Sequence, residues 1–269
     1  MKNIVTLKNI VIKVINKINK LAKNSFCRYK DLLKNTRSHK FPLLRKSVPD
    51  YLPKDKETYD TNVVKFLFMM YITHRFDLLG SGWVKNSYIS DCLGLEGYKY
   101  SMNIKINEFD EQGKWLGKIL RKTHLRKSKR IWQQINDKNY TPIDWQKDFK
   151  SGYRWSQKKW YKDSRKIIGK LPGVDIKMPW ELSRMQHLPQ IAILSNNFPE
   201  RKDEIQNEYR NEILDFIATN PPRMGVNWSS TMDVAIRASN ILLAYHLFTQ
   251  KNDEIFDENF NKILSQSVY

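Results

Sequence analysis

Cysteine is scarce in this chain: only Cys27 and Cys92 occur among its 269 residues. Two cysteines this far apart provide neither a disulfide framework nor the paired spacing of a zinc site. No run of about 18 apolar residues is present, so we expect no transmembrane segment. The chain also lacks a glycine-rich phosphate loop, an H-E-x-x-H zinc motif and a G-x-S-x-G nucleophile motif. We therefore predict no bound cofactor and no metal.

Acidic residues are also few, with 28 Asp and Glu against 47 Lys and Arg, which gives a net charge of +19. Residues 1–50 carry 13 basic and 2 acidic side chains, and residues 114–166 carry 17 and 4. The net charges of these two segments are +11 and +13, so the rest of the chain has a net charge of −5. Such patches indicate an anionic partner: nucleic acid, anionic lipid or acidic polysaccharide. The alternative is a solvated basic surface without a partner.

Residues 1–58 are predicted to form a basic amphipathic helix followed by a linker. The helix is indicated over the first 22 residues by apolar positions spaced three and four apart, with lysines around them. It would pack on the rest of the protein, lie on a membrane or form a short coiled coil. Lysines interrupt the apolar positions and no small-residue cleavage site follows, so the segment is no clear secretory signal. Residues 37–58 contain three prolines and many charges, which is typical of a linker.

Residues 59–269 are predicted to form one helical domain. Residues 61–76 indicate a buried helix that ends near Gly80, and residues 102–107 alternate like a strand or an extended segment. Trp, Tyr, Arg and Lys are interleaved over residues 141–160. This composition fits either a site for a flat, ring-shaped ligand or an aromatic loop packed on the domain.

From Pro179 onward the sequence predicts helices joined by short loops. We expect them over Trp180–Leu194, Glu204–Ala218, from Ser230 through Phe248 and, briefly, over Asn259–Leu264. Such a sequence of helices is typical of an all-α hairpin array or a toroid.

Polar and aromatic side chains are concentrated between Trp180 and Arg237, and we interpret them as two walls of a groove. Glu181, Arg184 and His187 are spaced along one side of a helix, and Arg184 and Arg237 are suited to bind a carboxylate or sulfate. The alternative is that Arg184 pairs with Glu181, and Arg237 with Asp233, as structural ion pairs. Likewise, His187 would be an acid or base, or a core histidine that makes one hydrogen bond.

Asn227 and Trp228 stand just before the helix that starts at Ser230. Asn227 would cap that helix or direct its amide at a ligand oxygen. The sequence segments around these two residues resemble those of a known protein family. The segments are Asp175-Ile176-Lys177-Met178-Pro179-Trp180-Glu181-Leu182-Ser183-Arg184, Gln186-His187-Leu188-Pro189, Asn220-Pro221, Gly225-Val226-Asn227-Trp228 and Met232-Asp233-Val234-Ala235-Ile236-Arg237-Ala238.

In order and spacing these segments resemble the N-terminal domain of heparinase II/III family proteins, over about residues 60–250. The resemblance implies an all-α fold, an incomplete (α/α) toroid of antiparallel helical hairpins, here missing its C-terminal helices and the β-sandwich domain that follows. It also implies a polysaccharide lyase, an enzyme that cleaves uronic-acid-containing glycans such as heparan sulfate or alginate by β-elimination.

In that reaction a base removes the C5 proton of the uronate, while an amide or arginine neutralises its carboxylate. The resemblance implies that Asn227 is the neutralising, catalytic amide. It further implies that substrate is bound by a set of side chains lining the groove: Trp180, Glu181, Arg184, His187, Trp228 and Arg237. The family's catalytic Tyr and His would come after Tyr269, so we expect an N-terminal fragment without proton-transfer residues, its other half encoded separately.

Four further statements follow from these sequence features. The partner is an acidic polysaccharide and not a nucleic acid, although the basic segments leave the latter as a weaker alternative. A non-catalytic glycan-binding or envelope-binding module is the alternative to a lyase. Related lyases work in the periplasm, but without a clear signal the sequence leaves the location open. An unclosed toroid would also expose an apolar helix face, so we expect poor solubility.

Overall fold

A computed structural model of the chain describes residues 2–36, 60–101, 104, 106, 108–249 and 255–268. Within the first of these ranges, side chains are described for residues 12–31. The chain forms two compact units, which divide between Lys40 and Phe41. The predicted linker at 37–58 lies outside the described residues, as do most residues of the predicted strand at 102–107.

The first unit contains a single helix, α1, over Lys2–Thr36. It covers residues 2–22 of the segment for which a basic amphipathic helix was predicted, and it continues for about four more turns. Its apolar side chains are about half exposed, for example Ile15 at 50% and Leu21 at 58%. No described helix of either unit is both long and apolar enough to cross a membrane.

The second unit is mostly helical. Its helices are α2 (Thr61–Ile72), α3 (Leu116–Ile119), α4 (Lys122–Trp132), α5 (Tyr161–Ser164), α6 (Lys177–Ser183), α7 (His187–Leu194), α8 (Lys202–Thr219), α9 (Thr231–Thr249) and α10 (Glu258–Val268). The regular strands of its described residues are β1 (Arg75–Phe76) and β2 (Val84–Lys85), which pair antiparallel. This helical content agrees with the predicted all-α class. The toroidal arrangement stays a prediction.

Helix α2 is shorter and more exposed than predicted. It begins where the Asp60 carboxylate accepts hydrogen bonds from the backbone N–H groups of Asn62 and Val63, at 2.7 and 3.3 Å. It ends at Ile72 rather than Phe76, because His74 adopts a left-handed backbone with φ of 55° and the chain then enters β1. Only one face is buried, and Phe66 on the other face is 47% exposed.

The predicted helix over Trp180–Leu194 is in fact two helices, α6 and α7. The chain breaks between Ser183 and His187, where Met185 has φ of 56°. Pro189 explains the break: a continuous helix would need an N–H at 189 and would force the proline ring against the carbonyl of Met185. In the first turn of a new helix the missing N–H has no such cost.

Helix α8 lies at the centre of the second unit. α4, α7 and α10 pack against it, and α7 also packs on α9. Ile205, Tyr209 and Ile213 of α8 are fully buried, as the sequence predicts. Several charged side chains of the same helix are buried too, so α8 is enclosed on more than its apolar face.

The aromatic segment at 141–160 also belongs to the core. Trp145, Trp155 and Trp160 are 0%, 2% and 4% exposed, and the buried Arg154 donates to both carboxylate oxygens of Asp144 at 2.7 and 3.0 Å. The structure therefore supports the packed-loop alternative, since these rings have no free face for a ligand.

Candidate functional site

The corner between α6 and α7 is held by one face of α9. Asp233 and Asn240 lie on that face and contact Arg184 from two sides. The Asp233 carboxylate accepts from Arg184 Nε at 2.6 Å, and the Asn240 amide donates to the Arg184 carbonyl at 2.8 Å. Glu181 completes the corner, at 2.5 Å from Arg184 Nη1.

Arg184 is thus enclosed by two carboxylates. The alternative prediction of structural ion pairs is correct for Arg184 and Glu181. It is wrong for Asp233, which pairs with Arg184 and not with Arg237. With both carboxylates in place, Arg184 and Glu181 do not line an open groove. Their predicted role in binding substrate stays a prediction that would require this cluster to open.

Asn227 lies in a buried network of amides. Its Nδ2 donates to the Trp145 carbonyl at 2.7 Å and to Asn220 Oδ1 at 3.1 Å. Gln146 joins the network by donating to the same Asn220 oxygen at 2.7 Å and accepting the backbone N–H of Val226 at 2.9 Å. Asn227 is 1% exposed, so in this structure its amide binds the protein rather than facing a ligand.

Gly225 is required for this network. Its φ is 78°, and a Cβ there would meet Gln146 side-chain atoms at 2.6–2.9 Å, closer than any normal contact. A side chain at 225 would therefore displace the glutamine that holds Val226.

The Oδ1 of Asn227 has no hydrogen-bond partner among the described residues.

Arg237 is buried between two aromatic rings. Its guanidinium carbon is 4.5 Å from the Phe216 ring centre and 5.2 Å from that of Trp228. It donates to the carbonyls of Ser183 and Asn227 at 3.2 and 3.3 Å. Burial disfavours the cation and lowers the pKa of Arg237 to about 10, against the opposing effect of Asp233. At neutral pH the side chain remains a cation.

The two tryptophans hold the loop before α9 through their ring nitrogens. Trp180 Nε1 donates to the Val226 carbonyl at 3.1 Å, and Trp228 Nε1 donates to the Asn220 carbonyl at 3.2 Å. Both rings are half-buried. Each therefore keeps part of its surface available.

His187 is a core histidine. It is 6% exposed, and its Nε2 lies 2.6 Å from Glu212 Oε2. Burial, with a smaller effect of His74, lowers the pKa of His187 to about 3. The ring is therefore neutral at physiological pH, and it is enclosed by Phe76 and Tyr71 rather than by the groove.

The structure contains a pocket of about 120 Å³ between α4, α8, α9 and α10. Of the predicted site residues, Trp228 and Arg237 line it, together with the Asn220-Pro221-Pro222 turn. Asn227, Trp180, Glu181, Arg184 and His187 are not part of its lining. The predicted groove residues are therefore divided between this pocket and the buried networks beside it.

Sequence reasoning missed two residues of the pocket, His124 and Lys127 of α4. The basic residues of α4 were noted only as charge, although a spacing of three places 124 and 127 on one side of a helix. Lys127 is exposed and His124 is half-buried. Burial, and then the charges of Arg121 and Lys127, lower the pKa of His124, so it is unprotonated at neutral pH.

Comparisons of the chain with protein-family models, with curated proteins and with solved structures found no match.

Proposed function

We propose that this chain binds an acidic, uronate-containing polysaccharide in the pocket between α4 and α9. We further propose that it is the glycan-binding part of a polysaccharide lyase of the heparinase II/III type. The observation that carries the proposal is the pocket itself, in which the aromatic ring of Trp228 stands next to Arg237 and faces a helix rich in cations. The sequence resemblance supports the choice of an acidic glycan.

A sugar acid needs both features of this pocket. The apolar face of a pyranose ring packs on an aromatic ring such as that of Trp228, as flat ligands do in general. Its carboxylate or sulfate would be bound by Lys127 at the surface. α4 holds five Lys and Arg residues and no acid, so it also offers charges to the neighbouring units of a polymer.

The finer proposal is β-elimination at this pocket. That reaction needs a base near the uronate C5, and the neutral imidazole of His124 is able to accept the C5 proton. As the C4–O4 bond breaks and the C4–C5 double bond forms, the resulting imidazolium would return this proton to the leaving O4. It also needs a positive group at the uronate carboxylate, a role that Lys127 would fill in place of the enclosed Asn227. A non-catalytic glycan-binding module would use the same pocket without proton transfer.

Calorimetric titration with uronate oligosaccharides from alginate and heparan sulfate tests the binding proposal. We expect Trp228→Leu to weaken binding by about tenfold, since stacking on an aromatic ring is worth about 1–3 kcal/mol. Lys127→Gln should weaken it by a few-fold. Lys170→Gln, which removes an exposed lysine outside the pocket, should leave affinity unchanged.

Two outcomes would contradict the proposal. One is the absence of binding to every acidic glycan by a folded protein. The other is tighter binding to DNA that falls steeply with salt and is unaffected by Trp228→Leu, which would favour a nucleic-acid partner. The lyase proposal has its own readout, the ultraviolet absorbance of unsaturated uronate products. Product formation should stop in His124→Asn while oligosaccharide binding persists.

A further inference from the structure

A buried cluster of histidines and carboxylates lies outside the lining of the pocket. Glu208 and Glu212 project from successive turns of α8 towards His74, which follows α2. His74 Nε2 is 2.7 Å from Glu208 Oε1, and the nearest ligand atoms of His74, Glu208 and Glu212 all lie within 4.8 Å of one another. His74 and Glu212 are 5% and 0% exposed.

One oxygen of this cluster lacks a partner. Glu212 Oε2 is 2.6 Å from His187 Nε2, but Glu212 Oε1 is buried and has no hydrogen-bond partner among the described residues. Leaving a buried carboxylate oxygen without a hydrogen-bond partner destabilises the folded state. Buried polar groups of native proteins are nearly always paired, so the free oxygen indicates a ligand that the protein alone does not supply.

The geometry of the cluster leads to the same conclusion. The carboxyl groups of Glu208 and Glu212 lie one turn apart beside His74 in a poorly solvated site. A divalent cation between them would occupy the free position at Glu212 Oε1.

We propose that His74, Glu208 and Glu212 bind one divalent transition-metal ion, for which Zn²⁺ is the best match. An imidazole nitrogen with two carboxylate oxygens is a donor set typical of zinc, at bonds of about 2.0–2.2 Å. The ligand atoms must be deprotonated to hold the metal, so binding is accompanied by proton release. Thus a metal site is inferred where the sequence predicted none.

His187 acts in this proposal as a positioning residue. A neutral imidazole with its proton on Nε2 donates to Glu212 Oε2 and so turns Oε1 towards the metal. The bound ion would link His74, in the turn after α2, to Glu208 and Glu212 of α8. The hydrogen bond between His187 and Glu212 would connect the site to the start of α7 as well. Glu208, whose side chain is 12% exposed, lies at the side from which a metal would enter.

Metal content and affinity test this inference. The full chain is stripped with a chelator, dialysed, and titrated with Zn²⁺ by calorimetry in two buffers of different ionisation enthalpy. We expect one ion per chain with a dissociation constant at or below the micromolar range, and proton release. Bound Co²⁺ should show the visible absorption of a four-coordinate ion.

Two matched variants of α8 provide the control. Glu208→Gln should weaken Zn²⁺ binding by at least tenfold, while Glu204→Gln, one turn earlier and paired with Arg201 at the surface, should bind like the wild type. Near-ultraviolet circular dichroism confirms that both variants are folded. The inference is overturned if the stripped protein binds no metal, or if a folded Glu208→Gln binds it with unchanged affinity.

The exposed face of α1 supports a second, independent inference. Exposed apolar side chains continue along one side of the described part of the helix: Val14, Ile15, Ile18, Leu21, Phe26 and Tyr29. Five lysines occur in the same stretch, and Asp31 is its one acid. Apolar residues spaced three and four apart, the pattern of a coiled-coil seam, run from Ile4 to Leu21; this pattern would next require positions 25 and 28, which hold Ser25 and Arg28. The exposed apolar face thus extends beyond this seam.

We infer that α1 lies on an anionic membrane surface. A helix with a broad apolar face and a lysine-rich opposite face buries the first in the lipid interface, while its cations attract anionic headgroups. Charge complementarity therefore favours phospholipid over a second copy of this chain, because two copies would bring like charges together.

Flotation of the full chain with vesicles tests this inference. The protein should float with vesicles that contain phosphatidylglycerol and far less with phosphatidylcholine alone. Ile18→Gln should weaken vesicle binding by about tenfold, because an isoleucine side chain would no longer be buried in the lipid interface. The control variant Asn16→Gln introduces a glutamine on the lysine-rich side of α1 and should leave vesicle binding unchanged. Absence of flotation, or a dimer in solution that Ile18→Gln dissociates, would overturn the inference.

Discussion

At the scale of single residues, Asp215 shows how a charge is held inside this protein. Its Oδ2 accepts three hydrogen bonds, from the backbone N–H of Ile143, from Trp145 Nε1 and from the Tyr140 hydroxyl, at 2.8–3.2 Å. The carboxylate is 0% exposed, and its Oδ1 has no partner in the described part of the chain. Burial outweighs the three donors and raises the pKa of Asp215 to about 7.

This shift predicts a pH-dependent stability. The folded pKa lies above the unfolded value of about 3.9, so the folded state holds the proton more tightly and loses stability as the pH rises towards 7. Relative to Asp215→Asn, the metal-stripped wild type should lose about 3 kcal/mol of unfolding free energy between about pH 5 and pH 8. Urea denaturation at both values measures the difference.

The control for this prediction is Asp77→Asn, since Asp77 is exposed. Its unfolding free energy should follow the wild type at both pH values. A constant difference between wild type and Asp215→Asn across the range would show that Asp215 is already ionised in the folded protein.

At the scale of elements, the helices of the second unit end where specific side chains or backbone angles stop them. Thr73 ends α2 by donating its hydroxyl to the carbonyls of Met69 and Met70 at 2.7 and 3.1 Å. Met185 separates α6 from α7 with its left-handed backbone. These ends direct His74 and His187 towards α8, so the buried cluster depends on them.

The start of α2 gives the prediction at this scale. Asp60→Ala should lower the unfolding free energy by about 1 kcal/mol, because the first N–H groups of α2 lose their acceptor. Asp60→Ser, which keeps an oxygen at the same position, should restore most of the loss. Hydrogen exchange of the Asn62 and Val63 amides is the local readout. Equal stability of Asp60→Ala and the wild type would show that water replaces the cap at no cost.

At the scale of the whole molecule, the chain combines a separate basic helix with a compact helical unit. Positive charge is concentrated in residues 1–50 and 114–166, which include α1 and α4. The proposed glycan pocket is bordered by α4, and the proposed membrane helix is α1. Both proposals therefore assign an anionic partner to a region of excess positive charge.

Deletion of residues 1–40 tests the independence of the two units. All eight tryptophans lie beyond residue 40, so tryptophan fluorescence reports on the second unit alone. We expect the deleted protein to unfold cooperatively in urea, with a free energy within about 0.5 kcal/mol of the full chain. It should also lose vesicle binding while keeping glycan binding. A large loss of stability would show that α1 supports the second unit.

The sequence alone determined the local features that depend on spacing along the chain. The spacing of apolar residues predicted α1 and α8, and the capping pattern at Ser230 predicted the start of α9, where the Ser230 hydroxyl lies 3.5 Å from the Asp233 amide nitrogen. Sequence reasoning failed at Pro189: the apolar periodicity continued through it, while the missing N–H divided the helix. The toroid and the lyase activity remain predictions.

Only the tertiary structure decided which polar residues meet. Arg184 forms an ion pair with Asp233, which is 49 residues away along the chain, and His187 contacts Glu212, which is 25 residues away. Spacing reveals partners only within one or two turns of the same helix. Packing of α6, α7, α8 and α9 also places Asn227 inside and leaves Trp228 beside a pocket, because burial is a property of the neighbours that the folded chain brings together and not of the residue itself.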